Sequence, residues 1–281
     1  MAGILVAGSN GEAQHLSHAE RVRAIHLTRK TLDENGFPQV VVVAGTGAQS
    51  TRETIKLCTD AAEAGARFAM VLTPSTWPGE MNDENIIKFH TTVADSSPIP
   101  CMVYNFPTVT AGKDLDSDIL EKLARHPNIV GTKLSDGDIG KLIRLTSDFP
   151  EEQFAVYPGR SDVFAPALFA GAAGLFGALV NIAPKSHTRL FRLWNAREKD
   201  PKGLQEVIKI QQILSHADSE VAKLGGIGAI KAIIKAQFGY GNGVVRGPLT
   251  SGSPENFSEE HLKNHWLNKL IHLEKKLTGI P

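Results

Sequence analysis

QVVVVAGTGAQSTRE, at residues 39–53, is the stretch of sequence that indicates the fold most directly. It opens on a run of valines, as strands do in parallel sheets that are covered on both faces. A glycine turn follows at residues 45–47, and Ser50 with Glu53 gives the capping-box pattern that begins a helix. Gly65 then ends the predicted helix. The stretch therefore predicts one strand–helix unit of an α/β protein.

The same alternation of apolar runs and helical patterns continues on both sides of this stretch. Seven strands are predicted in all, at residues 3–7, 39–44, 68–72, 100–104, 129–133, 154–157 and 174–179. Beyond residue 200 the pattern is helical only, with helices predicted at residues 201–215, 221–238 and 258–276. Alternating strands and helices predict a parallel sheet. The predicted organisation is a barrel at residues 1–200 and a C-terminal helical region at residues 201–281.

The number of units bears on which α/β architecture the chain adopts. We expect a TIM (β/α)8 barrel with a C-terminal helical extension, because eight units close the sheet and leave no edge. Seven predicted units are one too few, so the first βα unit, strand 1 and helix 1, is expected to be missing from this chain. An open doubly wound sheet is the alternative. The first unit lacks the glycine-rich dinucleotide fingerprint typical of such sheets, which disfavours this alternative.

Composition narrows the classes of partner. The 281 residues carry a formal net charge of zero, and 42% are hydrophobic and 21% charged, as in ordinary globular proteins. We expect no nucleic-acid and no membrane partner, because there is neither a basic patch nor a spanning apolar run. Two cysteines fit a reducing compartment, so we expect the cytoplasm, or the mitochondrion if a targeting segment precedes the chain. A small molecule is the expected partner.

Two side chains at neighbouring strand ends suggest chemistry. In barrels the reacting groups lie at the carboxyl ends of strands. Lys133 ends the fifth predicted strand, where apolar surroundings favour the neutral amine that Schiff-base formation requires. Tyr104 ends the strand before it, and its phenol could shuttle protons. Each has a structural alternative, a lysine reaching solvent and a core tyrosine, but their adjacent positions favour a catalytic pair.

Small polar residues follow the first predicted strand at residues 8–12 (GSNGE). Backbone N–H groups and the Asn10 amide could hold a carboxylate there, and the Ser9 hydroxyl could extend a proton relay from Tyr104. The structural alternative is an ordinary glycine turn in which Glu12 serves as a hydrogen-bond acceptor. The segment is therefore a candidate binding site for an acidic substrate.

Six short segments occur in an order that is typical of one family. They are GSNGE at 8–12, AGTG at 44–47, LTP at 72–74, YNFP at 104–107, GTK at 131–133 and VRGPL at 245–249. In this ordered set the chain resembles the dihydrodipicolinate synthase / N-acetylneuraminate lyase family of class I aldolases. The resemblance implies a pyruvate-dependent lyase that works without a cofactor or metal and forms a homo-oligomer, a dimer or a homotetramer.

The resemblance also implies roles for individual residues. Lys133 would be the Schiff-base lysine and Tyr104 the acid/base tyrosine. The substrate-binding residues would be Ser9, Asn10, Ser135, Gly159 and Phe176. Ser9 and Asn10 would bind the carboxylate of pyruvate and relay protons. Of the others, Gly159 and Phe176 would line the pyruvate pocket, while Ser135 would contact the substrate beyond it.

Two departures distinguish branches of this family. The synthase branch has an arginine shortly after the tyrosine motif and a tyrosine after the Thr-Pro of strand three. Here residues 108–112 read TVTAG, and Ser75 and Thr76 follow Pro74. The sequence is nearest the 4-hydroxy-2-oxoglutarate aldolase and fungal 2-keto-3-deoxy acid aldolase branches.

The expected reaction follows from that branch assignment. We expect cleavage of a 2-oxo acid, such as 4-hydroxy-2-oxoglutarate or a 2-keto-3-deoxy sugar acid, to pyruvate or glyoxylate plus an aldehyde. One alternative is dihydrodipicolinate synthase, which condenses pyruvate with aspartate semialdehyde. A second alternative is a non-catalytic ligand-binding barrel.

Overall fold

The computed structural model describes residues 1–200, 202–258 and 260–277, which divide into two compact units. The first unit consists of residues 1–157 and 170–173 and is built on one parallel sheet of six strands in chain order. The strands are β1 Gly3–Val6, β2 Val41–Gly45, β3 Phe68–Leu72, β4 Cys101–Asn105, β5 Ile129–Leu134 and β6 Ala155–Pro158. The prediction of an α/β protein with a parallel sheet is confirmed.

Helices follow the first five strands and connect them to the next. They are α1 His18–Glu34, α2 Thr51–Glu63, α3 Asp83–Ser96, α4 Ser117–Ala124 and α5 Ile139–Asp148. A capping box begins α1, since Ser17 Oγ accepts from the Glu20 N–H and the Glu20 carboxylate accepts from the Ser17 N–H. Ser50 caps α2 by accepting from the Glu53 N–H at 3.2 Å. Gly65 has φ +99°, the left-handed conformation that favours glycine after a helix.

Two glycines allow neighbouring strands to approach closely. A Cβ on Gly45 would lie 2.0 Å from the carbonyl oxygen of Ala7, and one on Gly131 would lie 2.4 Å from that of Ala155. Both distances are far below van der Waals contact, and both involve backbone, which has little freedom to move. Glycine is therefore required at these points of the sheet, just where β2 ends and in the middle of β5.

The second unit consists of residues 158–169 and 174–277, apart from those outside the described ranges, and it is helical. Its helices are α6 Phe164–Phe169, α7 Pro184–Asn195, α8 Gly203–Lys223, α9 Ile227–Phe238 and α10 Trp266–Lys276. Leu190, Leu214 and Leu270 belong to its core and are fully buried. Among the described residues, no helix is both long enough and apolar enough to cross a bilayer.

The three predicted C-terminal helices are confirmed, but their bounds differ. Helix α8 extends through Lys223, past the predicted end at residue 215, and α9 begins only after Gly225 and Gly226, which both have positive φ. Helix α10 begins at Trp266, since residues 260–264 form turns and residue 265 a bend; residue 259 of the predicted span lies outside the described residues. The division of domains at residue 200 stays a prediction.

The seventh predicted strand, at residues 174–179, is wrong. Residues 174–177 have no regular secondary structure, and Ala178–Asn181 form a short 3-10 helix. Two hydrogen bonds connect this part of the chain to β6. The Ala173 N–H donates to Val156 O, and the Phe176 N–H donates to Pro158 O. Glycines flank its apolar residues and weaken strand formation. A closed eight-stranded barrel and a missing first unit stay predictions.

Candidate active site

Lys133 and Tyr104 lie opposite each other on paired strands. They are register partners near the carboxyl ends of β5 and β4, and they are 7% and 5% exposed. The Lys133 Nζ lies 4.1 Å from the centroid of the Tyr104 ring. Within the described part of the chain, Lys133 has no carboxylate ion-pair partner. The amine is thus buried against an aromatic ring, and no carboxylate of the described residues is paired with it.

The sequence of β5 explains why the lysine lies at this position. Side chains alternate between the two faces of a strand, so Lys133 shares a face with Gly131, which has no side chain. Thr132 lies on the opposite face, fully buried, and its hydroxyl donates to Val103 O at 3.1 Å. Gly131 therefore lets the neighbouring backbone approach closely on the face that carries Lys133, and Thr132 anchors the opposite face.

Ser135 contacts the tyrosine directly. Its hydroxyl donates to Tyr104 Oη at 3.4 Å, and its N–H donates to Asn105 O at 2.9 Å. Ser135 is 8% exposed, so this pair of hydroxyls is largely shielded from bulk water. Phe106 stacks on the Tyr104 ring with centroids 5.6 Å apart. The tyrosine hydroxyl therefore has a defined hydrogen-bonding partner, as a proton-transfer group needs.

Ser9 and Asn10 occupy a strained turn after β1. They form a 3-10 helix, Ser9–Gly11, between two non-glycine residues with left-handed backbone, Ala7 at φ 54° and Glu12 at φ 55°. Such conformations cost free energy and often occur at functional sites. Both side chains are partly exposed. Among the described residues, no hydrogen bond joins either one to Tyr104 or Lys133, so their predicted roles stay predictions.

The remaining predicted residues, Gly159 and Phe176, lie in the second unit. Gly159 follows β6, and the Phe176 N–H donates to Pro158 O at 3.1 Å. Their roles in a pyruvate pocket stay predictions. Arg160 is exposed and paired with Asp162, with its Nε 3.2 Å from Asp162 Oδ1. Its guanidinium is therefore already engaged by a neighbouring carboxylate.

Sequence reasoning missed a cluster of polar side chains directly behind the lysine–tyrosine pair. We call it the Asn105 network, and it consists of Asn105, Asp114, Asp136 and Lys141. Asp138 caps the helix that follows, since its Oδ1 accepts from the Lys141 N–H at 2.9 Å. The available signal was an asparagine and an aspartate, each directly after a candidate site residue, Tyr104 and Ser135.

A buried lysine against a tyrosine ring, both near the carboxyl ends of parallel strands, is an arrangement typical of class I aldolases. The model of the dihydrodipicolinate synthetase family matches residues 1–263, nearly the whole chain. The chain belongs to this family.

Two curated relatives are aldolases by name. "Probable 4-hydroxy-2-oxoglutarate aldolase, mitochondrial" from Emericella nidulans is 39% identical over 277 residues, which cover 99% of this chain and 86% of the relative. L-threo-3-deoxy-hexylosonate aldolase from Aspergillus niger is 37% identical over 278 residues, covering 91% and 81%. Both names agree with the aldolase branches that the sequence resembles.

Solved structures support the same family. Dihydrodipicolinate synthase from Acinetobacter baumannii, solved in complex with pyruvate, superimposes with a TM-score of 0.83 at 27% identity. The match covers 96% of this chain and 87% of the synthase chain. The described fold is therefore the fold of this family over nearly its whole length.

Proposed function

We propose that this protein is a class I aldolase that cleaves a 4-hydroxy-2-oxo acid, either 4-hydroxy-2-oxoglutarate or a 2-keto-3-deoxy sugar acid. The observation that carries the proposal is the buried Lys133 amine 4.1 Å from the centre of the Tyr104 ring. The relatives named as aldolases support the substrate class.

The proposed reaction starts at the lysine amine. Lys133 Nζ attacks carbon 2 of the substrate, and loss of water from the carbinolamine leaves an iminium. The iminium accepts the electron pair of the C3–C4 bond when the 4-hydroxyl loses its proton and becomes the carbonyl of the released aldehyde. The remaining enamine takes a proton at C3, and water then releases pyruvate and restores the amine. With 4-hydroxy-2-oxoglutarate the aldehyde product is glyoxylate.

Tyr104 is proposed to move the protons in these steps. Its hydroxyl is close to a hydroxyl of Ser135, 3.4 Å away, which supports a short route for protons at the strand ends. A positioned acid–base group typically contributes about 10²- to 10⁴-fold to a rate. Ser135 is also proposed to contact the substrate.

The carboxylate of the substrate is proposed to bind at the turn after β1. Ser9 and Asn10 offer a hydroxyl and an amide there, and their side chains are partly exposed. Gly159 and Phe176 are proposed to line the pocket for the pyruvate part. An Asn10→Ala variant with an unchanged KM for the 2-oxo acid would contradict the proposed carboxylate site.

Trapping with borohydride tests the proposed function. Incubation with pyruvate and borohydride should attach one reduced pyruvate, and peptide mapping should place it on Lys133. Lys113→Ala is a matched control, since Lys113 is a surface lysine paired with Asp83. Absence of an adduct from the wild-type protein would favour a non-catalytic ligand-binding barrel.

A substrate panel separates the aldolase from the synthase. Release of pyruvate from 2-oxo-3-deoxy acids should be efficient, whereas condensation of pyruvate with aspartate semialdehyde should be slow. The reason is the absence of arginine from residues 108–112. The Ser75 and Thr76 N–H groups, in place of the synthase tyrosine, both donate to Gln49 Oε1 at 2.8 Å. Fast condensation would overturn the aldolase assignment.

Two properties outside the site are also proposed. A homo-oligomer, dimer or tetramer, would appear by light scattering at the corresponding multiple of 30.3 kDa. The compartment stays a prediction, with the cytoplasm expected from composition and the mitochondrion named for the Emericella nidulans relative. Localising the tagged full-length protein would decide between them.

A further inference from the structure

The Asn105 network is a closed ring of hydrogen bonds. Asn105 Nδ2 donates to Asp114 Oδ1 and to Asp136 Oδ2, both at 2.7 Å. Lys141 Nζ donates to the same two oxygens, at 2.7 Å and 2.5 Å. Asn105 Oδ1 also accepts from the Leu115 N–H at 3.1 Å. Each carboxylate is thus shared by the same pair of donors, which fixes the four side chains relative to one another.

The network holds the ends of the two strands that carry the lysine–tyrosine pair. Asn105 directly follows Tyr104 at the end of β4, and Asp136 directly follows Ser135 just beyond β5. Successive side chains of a strand point to opposite faces, so Asn105 and Tyr104 lie on opposite faces of the sheet. The ring therefore connects the two strand ends from behind the proposed reacting groups.

The network is charged and largely buried. Asn105 and Lys141 are 1% and 2% exposed, whereas the side chain of Asp114 is half exposed. Burial alone would lower the pKa of Lys141, but its hydrogen bonds to Asp114 and Asp136 and their charges raise it above the usual value. Burial would also raise the pKa of Asp114, but hydrogen bonds from Lys141 and Asn105 lower it. The ammonium and the Asp114 carboxylate therefore stay charged near neutral pH.

Stability alone is a poor reason for such a network. Buried ion pairs often contribute no more than well-packed apolar residues of the same volume, because desolvation offsets their attraction. What they do supply is a fixed geometry. Here the geometry that they fix is the separation of the β4 and β5 ends.

We propose that the Asn105 network, which consists of Asn105, Asp114, Asp136 and Lys141, acts as a set of positioning residues for Schiff-base formation. These residues set the distance between the Tyr104 hydroxyl and the Lys133 amine. The inference rests on the proposed function. The Tyr104–Ser135 contact of 3.4 Å is at the long limit for hydroxyl pairs, so a small strand shift breaks it. A misplacement of about 1 Å can cost about 10²-fold in rate.

The experiment compares five proteins: wild type, Lys141→Met, Lys141→Arg, Asp114→Ala and the control Glu274→Gln. Glu274 is a buried carboxylate of the second unit, which accepts from the Lys185 N–H, the Ser186 N–H and the Ser186 hydroxyl. Each protein is mixed with saturating pyruvate and quenched with borohydride over time. The rate of adduct formation, the pyruvate dependence and the thermal midpoint are measured.

The expected result distinguishes a positioning role of the Asn105 network from a role in stability alone. Lys141→Met should slow adduct formation about tenfold or more while the half-saturating pyruvate concentration changes less than about threefold. Lys141→Arg should recover much of the rate, because it keeps the charge and the donors. Asp114→Ala should slow the step less, and Glu274→Gln should lower the thermal midpoint without slowing it.

The possible failures are distinguishable. If the wild type forms no adduct, the proposed function and this inference both fail. If the wild type reacts and Lys141→Met reacts at the same rate, only the inference fails. If Lys141→Met does not fold, Asp114→Ala decides, because its half-exposed site tolerates the change. A wild-type rate of adduct formation in this variant overturns the inference. A slower rate at an unchanged half-saturating pyruvate concentration supports it.

Discussion

Lys133 and Lys141 are both buried, at 7% and 2% exposure, yet their surroundings differ completely. Lys133 has an aromatic ring against its amine and, among the described residues, no carboxylate ion-pair partner. Lys141 has two carboxylates within 2.7 Å of its Nζ. Burial is common to both, so it does not decide what a lysine does. The partners differ: one amine lies against an aromatic ring, and the other is paired with two carboxylates.

Removing the Lys133 amine tests this difference most strongly. Lys133→Ala should form no borohydride adduct with pyruvate, and turnover of the 2-oxo acid should fall by about 10³-fold or more, as is typical when a nucleophile is lost. Mass spectrometry and a coupled assay for pyruvate measure the two effects. Substantial turnover by this variant would mean that the reacting amine lies elsewhere.

The free energy of unfolding should depend on Lys141 and not on Lys133. Lys141→Met leaves Asp114 and Asp136 buried or partly buried without their cation, and the free energy of unfolding should fall by about 3–5 kcal/mol. Lys133→Met leaves no carboxylate unpaired, so stability should be unchanged or higher. Urea unfolding followed by circular dichroism measures both. An equal loss in the two variants would show that the lysines are not distinguished by their partners.

Loss of the tyrosine hydroxyl should have the next largest effect. Tyr104→Phe keeps the ring that contacts the Lys133 amine but removes the proton-transfer group, so kcat should fall by about 10²-fold. Tyr240→Phe is the matched control, because Tyr240 is 62% exposed, and its kcat should not change. A wild-type kcat for Tyr104→Phe would assign proton transfer to another group.

The smallest effect concerns alkaline pH. The pKa of Lys141 is raised in the folded protein by its carboxylate partners, against the opposing effect of burial. The stability that it contributes is therefore complete below the ordinary lysine pKa and is lost as the pH rises through the folded pKa. One proton changes the free energy of unfolding by at most about 1.4 kcal/mol per pH unit. Urea unfolding above about pH 10.4 should show the difference between wild type and Lys141→Met narrowing; a constant difference would contradict the assignment.

Local signals in the sequence were sufficient to predict an α/β protein with a parallel sheet and to place Tyr104 and Lys133 near the ends of neighbouring strands. The strands β4 and β5 each end only one residue later than predicted, because apolar runs and turns delimit them clearly. The predicted cap at Ser50 was right because it depends on two residues only three positions apart. Short-range interactions of this kind can be predicted without a structure.

The rest depended on contacts between distant segments. The Asn105 network unites residues from the end of β4, the loop before α4 and the start of α5, and no spacing rule predicts that meeting. The predicted strand at residues 174–179 failed because its apolar composition says nothing about whether a ladder of partners is present. Composition does not show which segments pair when they are far apart in the sequence.

The close approach at Gly45 and Gly131 has a consequence for surveys of mutational tolerance. In a library of all single substitutions, every change at these two positions introduces a Cβ against backbone, and selection for activity should reject them as firmly as changes at Lys133. The two kinds of loss differ in protein abundance. Variants at Lys133 would accumulate in the cell as folded, inactive protein, whereas those at the glycines would disappear. A screen that counts survivors alone would not distinguish the two glycines from the lysine proposed to react.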